Sequence, residues 1–154
     1  FAVGDYSDRR QFIGIVSFDT SAIPDGATIQ KVTLKLTRYS INGTSPWTSL
    51  GTCTVDLAVP FGAGTALATE DFQTAAIATD VATVPQPASN NTTVSAPLTS
   101  AGVFATSKTA KTQLRVRFTI DDDNDSANDY INFYSGDYST NTAYRPKLEV
   151  QYTQ

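Results

Sequence analysis

Hydrophobic and polar positions alternate with a period of two along several short stretches of the chain. KVTLKLTRYS (31–40) puts Val32, Leu34 and Leu36 on one side and Lys31, Thr33, Lys35 and Thr37 on the other. That is the spacing of a strand with one buried face. QLRVRFTI (113–120) repeats the pattern, with Leu114, Val116, Phe118 and Ile120 inward and Gln113, Arg115 and Arg117 outward. FIGIVSF (12–18) is apolar almost throughout, which predicts a strand buried on both faces or at a sheet centre. TCTVDLAV (52–59), TTVSAPL (92–98), YINFYSG (130–136) and KLEVQY (147–152) predict four more strands.

Turn chemistry separates these runs: Pro24-Asp25-Gly26, INGTSPWTSLG (41–51) and PQPASNN (85–91). TEDFQTAAI (69–77) predicts one helical turn with Thr69 as its cap, and TSAGVFA (99–105) a second. No amphipathic helix of useful length and no internal repeat occurs. About seven or eight strands with one or two short helical turns make an all-β, antiparallel β-sandwich, and 154 residues suit a single domain over 1–154.

Composition narrows the chemistry. The net charge of −4 and pI near 4.6 argue against a nucleic-acid surface, which needs clustered Lys and Arg. No apolar run reaches the roughly 18–20 residues of a membrane-spanning helix. The chain has no His, which removes the commonest general base and the usual Ser and Cys triads. Cys53 is alone and sits in an alternating Thr-Cys-Thr-Val run, the setting of a buried thiol rather than a nucleophile. The chain is expected to be non-catalytic. It begins FAVGD without an initiator Met, as a processed protein or an excised fragment would. Sequons at Asn42, Asn90, Asn91 and Asn124 lean towards an extracellular location.

Two features carry candidate chemistry. The stretch DDDNDSANDY (121–130) holds five of the chain's 15 acidic residues within nine positions. Asp121, Asp123 and Asp125 form a D-x-D-x-D pattern, with Asn124 and Asp129 close by and Asp5 and Asp8 of GDYSD as further oxygen donors. Calcium takes six to eight oxygen ligands, so Ca²⁺ is the expected ion. The loop is not an EF-hand: Ser126 stands where the sixth position needs Gly, and Asn132 where the twelfth needs Glu. A solvated acidic hairpin whose Asp and Asn side chains cap turns is the other reading. Aromatic residues are the second feature. Trp47, in the loop NGTSPWTS, could stack on a sugar ring or fold back as a plug over the sandwich end. Tyr130 and Tyr134 should project from the face opposite Ile131 and Phe133, with Tyr138 and Tyr144 nearby. That face could bind glycan or pack on a neighbouring copy.

Taken together, GDYSDRRQFIGIVSFDTSAIPDGATIQKVTLKL, DFQTAA, TQLRVRFTIDDDNDSANDYINFYSGD and RPKLEVQY resemble the secreted DNRLRE and carbohydrate-binding-module-like β-sandwich group. The resemblance spans nearly the whole chain, and SFDTSAIPDGATI and YSGD…RPKLEV are its most specific parts. It implies a jelly-roll-like, non-catalytic sandwich concerned with polysaccharide binding or cell-surface assembly. In the resembling domains a first strand precedes the segment matching GDYSDRRQ, whereas this chain begins just ahead of it. A trimmed fragment would explain this. So would a sandwich completed by a neighbour's strand, which would make the chain a subunit of an extracellular filament or surface layer.

Overall fold

The computed structural model describes residues 1–62, 64 and 66–154. Among these residues, ten strands form two antiparallel sheets that face each other across one apolar core. They are β1 (Ala2–Asp5), β2 (Gln11–Phe12), β3 (Gly14–Asp19), β4 (Thr28–Gly43), β5 (Cys53–Ala58), β6 (Ala78–Thr83), β7 (Thr93–Pro97), β8 (Lys111–Phe118), β9 (Asp129–Phe133) and β10 (Lys147–Thr153). The larger sheet runs β10-β4-β9-β1-β2, with β7 also paired to β4, and the smaller runs β3-β8-β5-β6. The expected β-sandwich is the observed fold, with ten strands among the described residues where about seven or eight were expected.

Alternation did its work where one face is buried. Val32, Leu34 and Leu36 of β4 meet Leu114, Val116 and Phe118 of β8 in the core, and all six are fully buried. On the far side of β4, Lys35 pairs with Glu149 of β10 at 2.5 Å. Two expectations fail. FIGIVSF is not one central strand: the chain crosses between the sheets at Ile13, so Phe12 ends an edge strand of one sheet and Gly14 begins an edge strand of the other. An apolar run cannot by itself distinguish a doubly buried strand from two half-buried pieces that change sheet. Ile120 lies beyond the end of β8 and is 44% exposed rather than inward.

The outer face of the smaller sheet is also covered, which is why all six residues of β5 are buried. Asp56 of β5 accepts from Arg115 (Nη2, 3.0 Å) and Arg117 (Nε, 2.9 Å), its cross-strand neighbours on β8. Arg115 stacks 4.6 Å over the Phe61 ring. Its Nη1 donates to the carbonyls of Phe72 (3.1 Å) and Thr74 (2.8 Å). Phe61 and residues 71–74, in the segment after β5, are thereby fastened over the sheet. The helical turn at Thr69–Phe72 lies in that segment, begun by the Ala68 N–H donating to Asp71 (2.9 Å) rather than by Thr69. A second short helix, α2 (Ser100–Ala105), has Thr99 as its cap. A third, α1 (Pro46–Ser49), was not legible in the sequence.

Candidate functional site

Strand β9 carries the two candidate features at its two ends: Asp129 opens it and Phe133 closes it, next to Tyr134. It is a central strand, pairing β1 on one side (Asp129 with Asp5) and β4 on the other (Asp129 with Gly43). The backbone around Asp129 passes so close to both neighbours that each needs glycine. A Cβ on Gly43 (φ +74°) would lie 1.4 Å from the Asn128 carbonyl oxygen, and one on Gly4 (φ +134°) 2.2 Å from that of Asp129.

At the acidic end, two overlapping groups of carboxylates form. Oxygens of Asp5, Asp122 and Asp123 lie within 4.8 Å of one another, and so do those of Asp123, Asp125 and Asp129. Asp5 and Asp129 are both buried to 1% exposure. Asp5 accepts from the N–H of Asp129 (3.1 Å) and of Asp123 (3.4 Å). Burial pushes its carboxyl above the usual range, as do the neighbouring Asp123 and Asp129 charges, against those two donors. Asp129 accepts from the Thr44 N–H through Oδ1 (2.9 Å), while Oδ2 is buried without any donor. Asp122, Asp123 and Asp125 each also accept the N–H two residues on, the turn-capping pattern expected of Asp. Asn124 and Ser126 both have positive φ.

The structure therefore gathers Asp5, Asp123, Asp125 and Asp129 of the expected ligands and adds Asp122, which the D-x-D-x-D pattern skipped. Asp8 stands apart, paired with Arg10 at 2.8 Å, and Asp121 lies exposed outside both groups. Asn124 contributes a turn conformation and an N–H to Asp122.

At the other end, Tyr134 is only 7% exposed, its ring packed among Tyr39 (5.3 Å), Tyr138 (4.5 Å) and Tyr144 (4.9 Å). Its hydroxyl donates to Asn91 Oδ1 at 2.6 Å, and burial together with the neighbouring phenols pushes its pKa up, keeping the donor proton in place. The exposed ring is Tyr39, at 56%. It sits at the irregularity in the β4–β9 register between Arg38 and Ser40, where an extra residue re-aims a side chain. Phe1, Tyr39, Asn132, Phe133, Tyr134, Ser135 and Tyr138 line a shallow cleft of about 350 Å³. Asn132 donates to Ser40 Oγ (3.0 Å), and Ser135 bonds Asp137 at the rim.

Tyr130 belongs elsewhere, packed edge-on to Phe12 (5.2 Å) and beside Tyr6 (6.3 Å). The expectation that Tyr130 and Tyr134 share one platform is thus replaced by a cleft built on Tyr39, Tyr134 and Tyr138. Trp47 is no exposed platform either. Its indole N–H donates to the Val84 carbonyl (3.1 Å) and its ring meets Phe118 edge-on at 5.1 Å, which makes it a plug at the core's edge.

Cys53 is fully buried and burial pushes its thiol pKa far up. Among the described residues, no helix is long and apolar enough to cross a membrane. The chain matches no known family model and no curated protein.

Proposed function

We propose that this chain is a non-catalytic extracellular β-sandwich module that binds polysaccharide in the cleft beneath Tyr39. The carrying observation is an exposed aromatic ring, backed by the buried Tyr134 and flanked by Tyr138, beside the amide of Asn132 and the hydroxyl of Ser135. A pyranose presents C–H groups on one face and hydroxyls around its edge, so a π surface with adjacent amide and hydroxyl groups complements it. The absence of His from the sequence and the inert setting of Cys53 support a binding role over a catalytic one. The sequence resemblance to secreted carbohydrate-binding-module-like domains supports the same reading. Affinity electrophoresis through gels containing soluble polysaccharides tests it. Retardation by at least one polysaccharide should be lost in Tyr39→Ala, which removes an exposed ring at little cost to folding. Unretarded wild-type protein across a broad panel, or full retardation of Tyr39→Ala, would overturn the assignment.

A second reading rests on a different surface. Phe18, Ile23, Leu148, Val150 and Tyr152 line a groove of about 360 Å³ between β3 and β10, edge strands of the two sheets. An unpaired strand edge beside an apolar groove suits strand pairing with a neighbouring copy, as in a filament or surface layer. Light scattering separates the two: a 16.5 kDa species favours the binding module, and an open-ended mass the structural subunit.

A further inference from the structure

We propose that the loop 121–129 binds one calcium ion between the carboxylates of Asp123, Asp125 and Asp129, with Asp5 positioning Asp129 from behind. The argument starts from how this fold treats buried carboxylates. Asp56 is as buried as Asp129, and it is met by two guanidinium groups and a backbone N–H. Asp129 receives one backbone N–H, and its Oδ2 is, among the described residues, the one buried carboxylate oxygen without a donor. None of the ion pairs among the described residues reaches Asp5 or the loop. A buried carboxylate left bare among other carboxylates is costly unless a cation completes it.

Geometry and donor chemistry identify the cation. Oxygens of Asp123, Asp125 and Asp129 fall within 4.8 Å of one another. Two oxygens bound to the same Ca²⁺ at about 2.4 Å can be no more than about 4.8 Å apart, so the three fit one coordination sphere, with water and carbonyl oxygens filling the remainder. An all-oxygen set without His or Cys favours a hard ion over zinc or copper. An irregular loop of carboxylates, one of them (Asp125) exposed, suits calcium better than magnesium, which demands near-ideal octahedral geometry at about 2.1 Å. Bound there, the ion would fasten the loop to β9 and, through Asp5, to β1. The inference does not rest on the polysaccharide reading, because the cleft lies at the opposite end of β9.

Thermal unfolding of the purified chain, first stripped with EDTA and verified metal-free, tests it. At a hundredfold excess of CaCl₂ over its Kd, Tm should rise by roughly 5–10 °C, with a much smaller rise in equal MgCl₂. Asp125→Asn changes only an exposed ligand and should weaken calcium binding about tenfold or more while leaving the metal-free Tm unchanged or raised. Asp8→Asn, outside the cluster, should respond to calcium as the wild type does. No shift in the wild type up to 10 mM CaCl₂, or the same shift in Asp125→Asn, would overturn the site and leave a solvated acidic hairpin. Tyr39→Ala should keep the full calcium response, so failure of one assignment is distinguishable from failure of the other.

Discussion

Replacing Asp56 by alanine removes the anion on which two arginines converge. Asp56 Oδ2 accepts from Arg115 Nε (3.3 Å) and Nη2 (3.0 Å) and from Arg117 Nε (2.9 Å), and Oδ1 accepts from Arg117 Nη2 and the Asp80 N–H, both at 3.1 Å. Arg117 retains a partner, since its Nη2 already reaches Asp80 at 3.0 Å. Arg115 does not. It is 9% exposed, and its remaining partners are neutral carbonyls. Removing one partner of a buried pair costs about 3–5 kcal/mol, nearly all of it the penalty of the stranded charge. For a domain of this size that is a fall in Tm of roughly 6–20 °C. Urea unfolding followed by far-UV circular dichroism should show a lower midpoint at unchanged slope. The double variant Asp56→Leu/Arg115→Met, which leaves no charge stranded at Arg115, should recover more than half of the loss. A loss below about 1 kcal/mol in Asp56→Ala, the scale of an exposed pair, would refute the reasoning, and so would a double variant no better than the single. The pH dependence gives an independent check. Burial alone would push the Asp56 carboxyl up, yet Arg117, the Asp80 N–H and Arg115 together hold it below its ordinary 3.8. A depressed carboxyl stabilises the fold fully above its ordinary value. The wild-type advantage over Asp56→Ala should therefore be constant from neutral pH down to about 3.8 and shrink as pH falls further.

Gly43→Ala should destabilise by about 3 kcal/mol or more, because its Cβ would stand 1.4 Å from the Asn128 carbonyl and its φ is +74°. Gly26→Ala, with nothing within 4 Å, should stay within about 0.5 kcal/mol of wild type, and equal melting curves for the two variants would refute this account of the close approach. Cys53 should resist thiol reagents at pH 8 in the native state and react fully in denaturant, since burial raises its thiol pKa far above that pH. Stoichiometric labelling of the folded protein within minutes would contradict its placement.

Period-two alternation determined the fold class and much of the core. It found the apolar face of Val32, Leu34 and Leu36 and that of Leu114, Val116 and Phe118, because the pleated backbone points successive side chains of a strand to opposite faces. The short helix in TSAGVFA was equally local and equally legible. What the sequence could not decide is which strands become neighbours. Asp5 and Asp129 are 124 residues apart and meet only because β1 and β9 pair, while Asp8, three positions from Asp5, turns to Arg10 instead. Tyr39 became the exposed ring of the cleft because of an irregularity in the β4–β9 register, which no spacing within β4 announces. Trp47 folded inward because Val84 and Phe118 happen to lie beneath its loop. Local pattern sets which way each side chain points, and long-range pairing alone decides what it meets.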